Sequence, residues 1–234
     1  MNERYLLLWL EGPLQSWGHD SRFGRRDTLP FPTMSGVCGI LCAALGAGGE
    51  QRQLLAELTG GHWRTRAFAP QDERYTLPPL RDFQMVGNGY DESDPWQALL
   101  IPKTSEGKKA VGGGTKMTYR YYLQDCAFAV SIGVEAALAQ RLTDALVAPV
   151  WELSLGRKNC APTEFIGQGL YDSEAFAWAR CEHLAAEKKR RRHFDVLPGG
   201  ADGESGEVLT LNDVPIQFGP DKRYRDRQVT IIPA

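Results

Sequence analysis

Asp125-Cys126-Ala127-Phe128-Ala129-Val130-Ser131-Ile132-Gly133-Val134 alternates without a break: Phe128, Val130, Ile132 and Val134 fall on one side of an extended chain, and Ala127, Ala129, Ser131 and Gly133 fall on the other. Successive side chains of a strand point to opposite faces, so the segment reads as a strand with one large apolar face and one face of small residues. Immediately downstream, residues 135–147 group Leu138, Leu142, Ala145 and Leu146 at helical spacing. Upstream, strand-like segments cover about 62–69 and 74–86. Before them, Val37, Ile40, Leu41, Ala44 and Leu45 mark a helix capped by Thr33 or Ser35 and ended near Gly46, and a short helix at about 50–58 presents Leu54, Leu55 and Leu58. The chain begins with an apolar strand, Tyr5 to Leu10, closed by Glu11 and Gly12-Pro13. The order β, α, β, β, long excursion, β, α predicts an α+β fold, a ferredoxin-like (RRM-like) sheet with helices on one face. Residues 1–150 are expected to form that domain, with an insertion at about 80–123. Residues 151–234 mix Gly, Pro and charge with strand candidates at Gly206 to Leu211 and Gln228 to Ile232, and are expected to form a smaller, mainly β region.

The 234 residues carry a formal charge of −2 and are 42% hydrophobic. A core can be filled, but nothing global points to a polyanion, so any affinity for one must come from local clusters of Lys and Arg. The five cysteines (Cys38, Cys42, Cys126, Cys160, Cys181) are scattered without a CxxC pair, which excludes a zinc framework and predicts reduced thiols in a cytoplasmic protein. The apolar run at the start is too short for a membrane span. His19, His62, His183 and His193 belong to no nucleophile, metal or acid–base pattern, and no GxSxG, HExxH or phosphate-loop motif occurs. No catalytic residue, metal or cofactor is expected.

Four basic segments remain. Arg22, Arg25 and Arg26 lie in a Gly- and Pro-rich loop. Between Val86 and Met117 about thirty residues separate two arms that could pair, Leu80 to Val86 and Met117 to Leu123. This interval and its downstream arm carry Lys103, Lys108, Lys109, Lys116 and Arg120 against one acid, Glu106, from residue 103 onward. Such a finger can lie across a phosphate backbone or be a solvated insertion. The helix start at Phe31-Pro32-Thr33-Met34-Ser35-Gly36 offers backbone N–H groups to a phosphate, and its Gly36 and Gly39 each cost about 1 kcal/mol against alanine, so something must approach closely, whether RNA or a neighbouring sheet. Leu155-Gly156-Arg157-Lys158-Asn159-Cys160 places two cations beside a glycine, as a phosphate contact or a surface turn would. The run Lys188-Lys189-Arg190-Arg191-Arg192-His193 is the densest positive tract and reads as an auxiliary electrostatic surface.

Gly12-Pro13-Leu14-Gln15-Ser16-Trp17-Gly18, Phe31-Pro32-Thr33-Met34-Ser35-Gly36 and Leu155-Gly156-Arg157-Lys158-Asn159-Cys160, in this order and spacing, resemble the CasD-type subunits of type I-E CRISPR Cascade complexes, members of the RAMP superfamily. The likeness runs through most of residues 3–165 and is weak in the C-terminal third. It implies a ferredoxin-like core with a protruding β-hairpin thumb and a non-catalytic subunit that grips the 5′ handle of the guide crRNA. It also implies contacts with the repeated backbone subunit and the large subunit, with target DNA nearby. By the resemblance, the RNA-binding residues include Thr33, Ser35, Gly36, Arg157, Lys158, Lys108, Lys109 and Lys116, to which the local charge adds Arg25, Arg26 and Arg120. Met34 stands where relatives can have arginine, and Asn159 where they have a small hydroxyl residue. Tyr119, Tyr121 and Tyr122 are candidates for base stacking or for cross-strand packing.

Two other readings are open. A metal-independent endoribonuclease acting on CRISPR repeat RNA, as in type I-C relatives, would need a base and a charge stabiliser. Lys116 could stabilise charge, but Met117 follows where a histidine would be wanted. A small-molecule enzyme or scaffold on a ferredoxin-like fold is the third.

Overall fold

Glu3–Gln15 and Lys116–Glu135 pair antiparallel from Glu3↔Glu135 to Gln15↔Leu123, and the rest of the chain is arranged around this ladder. The computed structural model describes residues 3–19, 21, 24–72, 77–86, 93, 104–108, 116–200 and 206–234. In chain order the elements are β1 (Glu3–Gln15), β2 (Arg25–Arg26), α1 (Met34–Leu45), α2 (Arg52–Thr59), β3 (Trp63–Pro70), β4 (Leu80–Val86), β5 (Lys116–Glu135), α3 (Ala136–Val147), β6 (Gly167–Tyr171), α4 (Glu174–Glu187), β7 (Arg190–Pro198), β8 (Glu207–Gln217) and β9 (Arg223–Pro233). Among the described residues they form a mixed α/β protein with one nine-stranded sheet, whose main path runs β6-β1-β5-β3-β7-β9-β8. β2 and β4 both pair with the first part of β5, so the same strand serves the main sheet and a narrow ribbon.

Leu6 to Leu10 are all fully buried, which explains their unbroken apolar run: both faces of the strand are covered. Leu6, Leu8 and Leu10 join Phe128, Val130 and Ile132 against α1, α2 and α3. On the opposite face Leu7, Trp9, Phe68, Ala127 and Ala129 meet Ala177, Trp178, Cys181, Leu184 and Ala185 of α4. The small residues of the Asp125–Val134 alternation are therefore the seat of a helix. Each large side chain fully buried in these layers contributes about 1.5–3 kcal/mol before the cost of ordering it.

This arrangement corrects the expectation of helices on one face. α4 covers the other, so the open sheet surface of an RRM-like platform is not available here. The C-terminal strands also continue the sheet: β3 pairs with β7, β7 with β9 and β9 with β8. β1 runs on through Gly12-Pro13 to Gln15. Pro13 is tolerated because β6 pairs only with the Tyr5–Leu8 stretch, leaving that part of β1 an outer strand on one side.

The basic tract after α4 is largely internal scaffolding. Arg190 binds Glu11 and Asp125, each at 2.7 Å, and Lys188 lies 3.4 Å from Glu11 and 3.3 Å from Glu164. Arg192 pairs with Asp195. Burial opposes ionisation of Glu11, but hydrogen bonds from Trp9 and Arg190 and the charges of Arg190 and Lys188 outweigh it and hold the carboxyl below its ordinary range. A carboxyl whose pKa is lower folded than unfolded contributes stability above the ordinary carboxylate pKa, and that contribution is lost as pH falls through the folded value. The urea midpoint of the wild type is expected to fall on acidification through the carboxylate range. Glu11→Gln should flatten that dependence and cost about 1–2 kcal/mol near neutrality. An unchanged acid limb in Glu11→Gln would assign the dependence to other groups.

Candidate nucleic-acid interface

Three motif segments far apart in sequence interlock beside α1. At the end of β1, Gln15 is buried and donates through Nε2 to the carbonyls of Leu10 (3.0 Å) and Cys126 (2.7 Å), while its Oε1 accepts from Trp17 Nε1 at 3.1 Å. That fixes the Trp17 indole against Gly36, where a Cβ would stand 2.8 Å from the ring. The close approach anticipated at Gly36 is thus made by tryptophan. Ser16 N–H donates to the Leu155 carbonyl at 3.1 Å, and its own carbonyl sits where a Gly156 Cβ would be, at 1.8 Å. Gly156 has φ 94°, a conformation that L side chains rarely adopt.

The start of α1 is already partly satisfied. Thr33 Oγ1 accepts from Gly36 N–H at 3.2 Å, Val37 N–H donates to the Thr33 carbonyl, and Met34 N–H donates to Asp213 Oδ2 at 2.8 Å. Asp213 is buried and chelated by Arg227, at 2.6 Å and 2.8 Å. A carboxylate therefore occupies part of the anion site expected there. In the first turn, the Ser35 amide is the N–H left without a partner among the described residues. Met34 itself is buried in the core.

Beside this junction runs an open groove of about 1540 Å³. Thr33, Ser35, Gly36, Arg26, Arg157 and Lys158 all line it, joining residues that the sequence placed in three separate segments. Ser16, Trp17 and Gly18 contribute to the same surface. Lys222, just before β9, and Tyr224, near its start, also line it. Sequence reading missed these two, since they belong to no motif and lie beyond the region of family likeness.

Arg157 is not a free hand. Its guanidinium lies 4.7 Å over the Tyr122 ring and donates to the carbonyls of Tyr121 (3.2 Å) and Arg26 (2.8 Å). It braces the groove wall against β2 and β5. Asn159 donates to Tyr122 Oη at 3.2 Å. Lys158 is exposed in the groove.

The remaining predicted cations lie elsewhere. Arg25 is bound to Asp27 at 2.8 Å and covers the Tyr121 ring at 5.0 Å. Arg120 stands in β5 opposite Asp82, outside the groove lining. Lys116 opens β5 opposite Val86, and its side chain lies outside what is described. Lys108 is exposed and 3.1 Å from Glu106. Lys103 and Lys109 lie outside the described residues.

The expected arms do pair, from Leu80↔Tyr122 to Val86↔Lys116. Of the tyrosines, Tyr122 is buried under Arg157, Tyr121 packs under Arg25, and Tyr119 packs on Phe83 at 5.2 Å while remaining 39% exposed. Burial pushes the thiols of Cys42 and Cys126 up to about 11 and that of Cys181 to about 12, so none is a nucleophile at neutral pH. Among the described residues no His, Cys, Asp or Glu cluster could hold a metal ion, and no helix is long and apolar enough to cross a membrane.

An open groove edged by cations, on a mixed α/β fold built around a large antiparallel sheet, has the shape and local charge suited to a polyanion. The CRISPR-associated protein (Cas_Cas5) family model matches residues 5–230, and the chain belongs to that family. Over 171 residues, 70% of this chain and 70% of the relative, it is 31% identical to the CRISPR system Cascade subunit CasD of Escherichia coli (strain K12). A chain of a solved CRISPR RNA-guided surveillance complex aligns at TM-score 0.68 and 28% identity, covering 98% of this chain and 90% of that one. A Cas protein known from a crystal structure aligns at TM-score 0.54 and 25% identity, covering 98% and 94%. The family read from three motifs is therefore borne out, and the match extends through the C-terminal third, where the motifs had been silent.

Proposed function

We propose that this chain is a non-catalytic subunit of a type I-E Cascade surveillance complex that holds the 5′ handle of the guide crRNA in the groove beside α1. The observation that carries the reading is the convergence of Arg26, Lys158, Ser35 and Gly36 from three separate segments on one open surface. A single strand followed through its phosphates needs such a spaced set of cations and amides and no base-specific pocket at every position. The relatives support the setting, since one is named a Cascade subunit and another belongs to an RNA-guided surveillance complex.

The strand order β6-β1-β5-β3, with α1 and α2 between β1 and β3 and α3 between β5 and β6, supports a ferredoxin-like core within the larger sheet. We assign residues 1–150 to it, joined by β6 (Gly167–Tyr171) as its outer strand, and the rest of 151–234 to a smaller, mainly β C-terminal region. The β4–β5 ribbon is the base of the proposed thumb. Its cations Lys108, Lys109, Lys116 and Arg120, with Arg25 beside the ribbon, would meet the guide where it leaves the handle. The backbone and large subunits of the complex are the protein partners, target DNA lies nearby, and the setting is cytoplasmic.

Co-expression with CRISPR repeats and the neighbouring complex subunits is expected to yield this protein bound to a short RNA of defined 5′ end. Cleavage of repeat RNA by the purified chain without metal would sink the non-catalytic reading. Reversing Lys108, Lys109 and Lys116 together should weaken guide retention roughly tenfold at 150 mM salt and leave folding unchanged. Retention equal to wild type would remove the thumb from the interface.

A further inference from the structure

We infer that Trp151 and Glu152, at the end of the groove beside the last turn of α1, form a nucleobase subsite selective for bases that carry an exocyclic amine. This rests on the groove holding RNA and adds to it what the RNA is read by. Gly36 lies beside Trp17 at one end of α1, whereas Trp151 N–H donates to the Ala43 carbonyl at 3.2 Å near the other. Seven helical residues separate those levels, a rise of about 10 Å. The groove therefore has two chemically different ends.

At the first end Arg26 and Lys158 supply positive charge. At the second, both the helix dipole and the Glu152 carboxylate are negative, so a phosphate is disfavoured there. Glu152 lines the groove, is exposed, and makes no ion pair or hydrogen bond among the described residues. A carboxylate left unpaired in a groove that elsewhere binds anions is suited to the donors of a base edge: the amines of cytosine, adenine or guanine. Uracil offers only its ring N–H.

Trp151 supplies the stacking surface. Its side chain lines the same groove and the residue is 49% exposed. Its backbone is pinned to α1, and Gly48 leaves its ring edge close, with a Cβ there standing 3.3 Å from Cη2. Between the two ends Gly39 offers a floor where an added Cβ would meet nothing within 4 Å, which leaves room for a nucleotide to pass. The glycine that weakens α1 without an internal packing reason is explained by that passage.

The test uses the full chain and a pool of single-stranded RNA octamers randomised at every position, with retained RNA sequenced. The wild type should enrich amine-bearing bases over uracil by roughly tenfold at one position of the retained motif. Glu152→Ala should reduce that bias to within about twofold. Trp151→Ala should reduce both the bias and the amount of RNA retained.

Four outcomes overturn the inference. If Glu152→Ala raises retention uniformly and keeps the base preference, the carboxylate only repels phosphate. If wild-type RNA is retained with no base preference, the subsite fails and the proposed function stands. If no RNA is retained at all, both fail. If Trp151→Ala releases a protein subunit from the assembled complex and leaves base preference intact, the exposed tryptophan belongs to a protein contact.

Discussion

Gly156→Ala is expected to lower the thermal midpoint by roughly 5–15 °C and to abolish guide retention in the assembled complex. Two costs combine. A methyl group at φ 94° forces an L residue into the right half of backbone space, worth about 1–2 kcal/mol. The same methyl would stand 1.8 Å from the Ser16 carbonyl oxygen, backbone against backbone, so neither partner can turn away as a side chain could. Overpacking of this kind costs about 1–3 kcal/mol more. The structure must move the Leu155–Cys160 loop off the Gly12–Gly18 turn, and the groove wall carrying Arg157 and Lys158 moves with it. Gly49→Ala is the control: φ is 84° there, but an added Cβ meets nothing within 4 Å, so only the conformational cost of about 1–2 kcal/mol should appear. Equal effects of the two variants would show that the Ser16 contact is slack.

Arg26→Glu, Lys158→Glu and Lys222→Glu together should reduce guide affinity about 10²–10³-fold at 150 mM salt and lower the slope of log affinity against log salt by about 2. A single strand releases roughly 0.7 counterion for each phosphate neutralised, so three lost contacts predict that change in slope. The three residues come from β2, the Leu155–Cys160 loop and the residue preceding β9, and they line one groove. Arg157 is deliberately spared, because its bonds to the carbonyls of Tyr121 and Arg26 make it a brace whose loss would confuse folding with binding. An unaltered thermal midpoint with the affinity loss identifies an electrostatic effect. Affinity within about twofold of wild type would place the guide elsewhere on the molecule.

The central sheet was legible because Phe128, Val130, Ile132 and Val134 alternate and Leu138, Leu142 and Leu146 follow at helical spacing, patterns set by burial of one face. What stayed hidden was contact made at long range. Ala177, Trp178, Cys181, Leu184 and Ala185 hold helical spacing after the cap Ser173, whose hydroxyl accepts from Phe176 N–H, yet the charged residues between them masked the stripe. With α4 unrecognised, the small face of β5 could not be assigned a partner. Gly12-Pro13 read as the end of β1 because a proline cannot donate, but there no strand seeks its N–H. At the site, Thr33, Ser35, Gly36, Arg26, Arg157 and Lys158 were found as separate segments; their convergence depends on Trp17 meeting Gly36 and Ser16 meeting Gly156, across about 20 and 140 residues. Lys188 and Arg190 looked like a free patch because their partners Glu11, Asp125 and Glu164 are distant in sequence.

β5 is one uninterrupted strand of 20 residues that serves the main sheet with its second half and the ribbon with its first. At about 3.3 Å per residue it spans roughly 65 Å, held by β1 and β3 over its second half and by β2 and β4 over its first. A load on the first half cannot be absorbed by a loop hinge, because none separates the two halves. It must bend the strand near Asp125, where φ is 45° and Arg190 grips the carboxylate, or be passed through Arg157 into the groove wall. Tension on the β4–β5 ribbon would thus be felt at the cleft as a change in its width, one stiff strand mechanically tying the two.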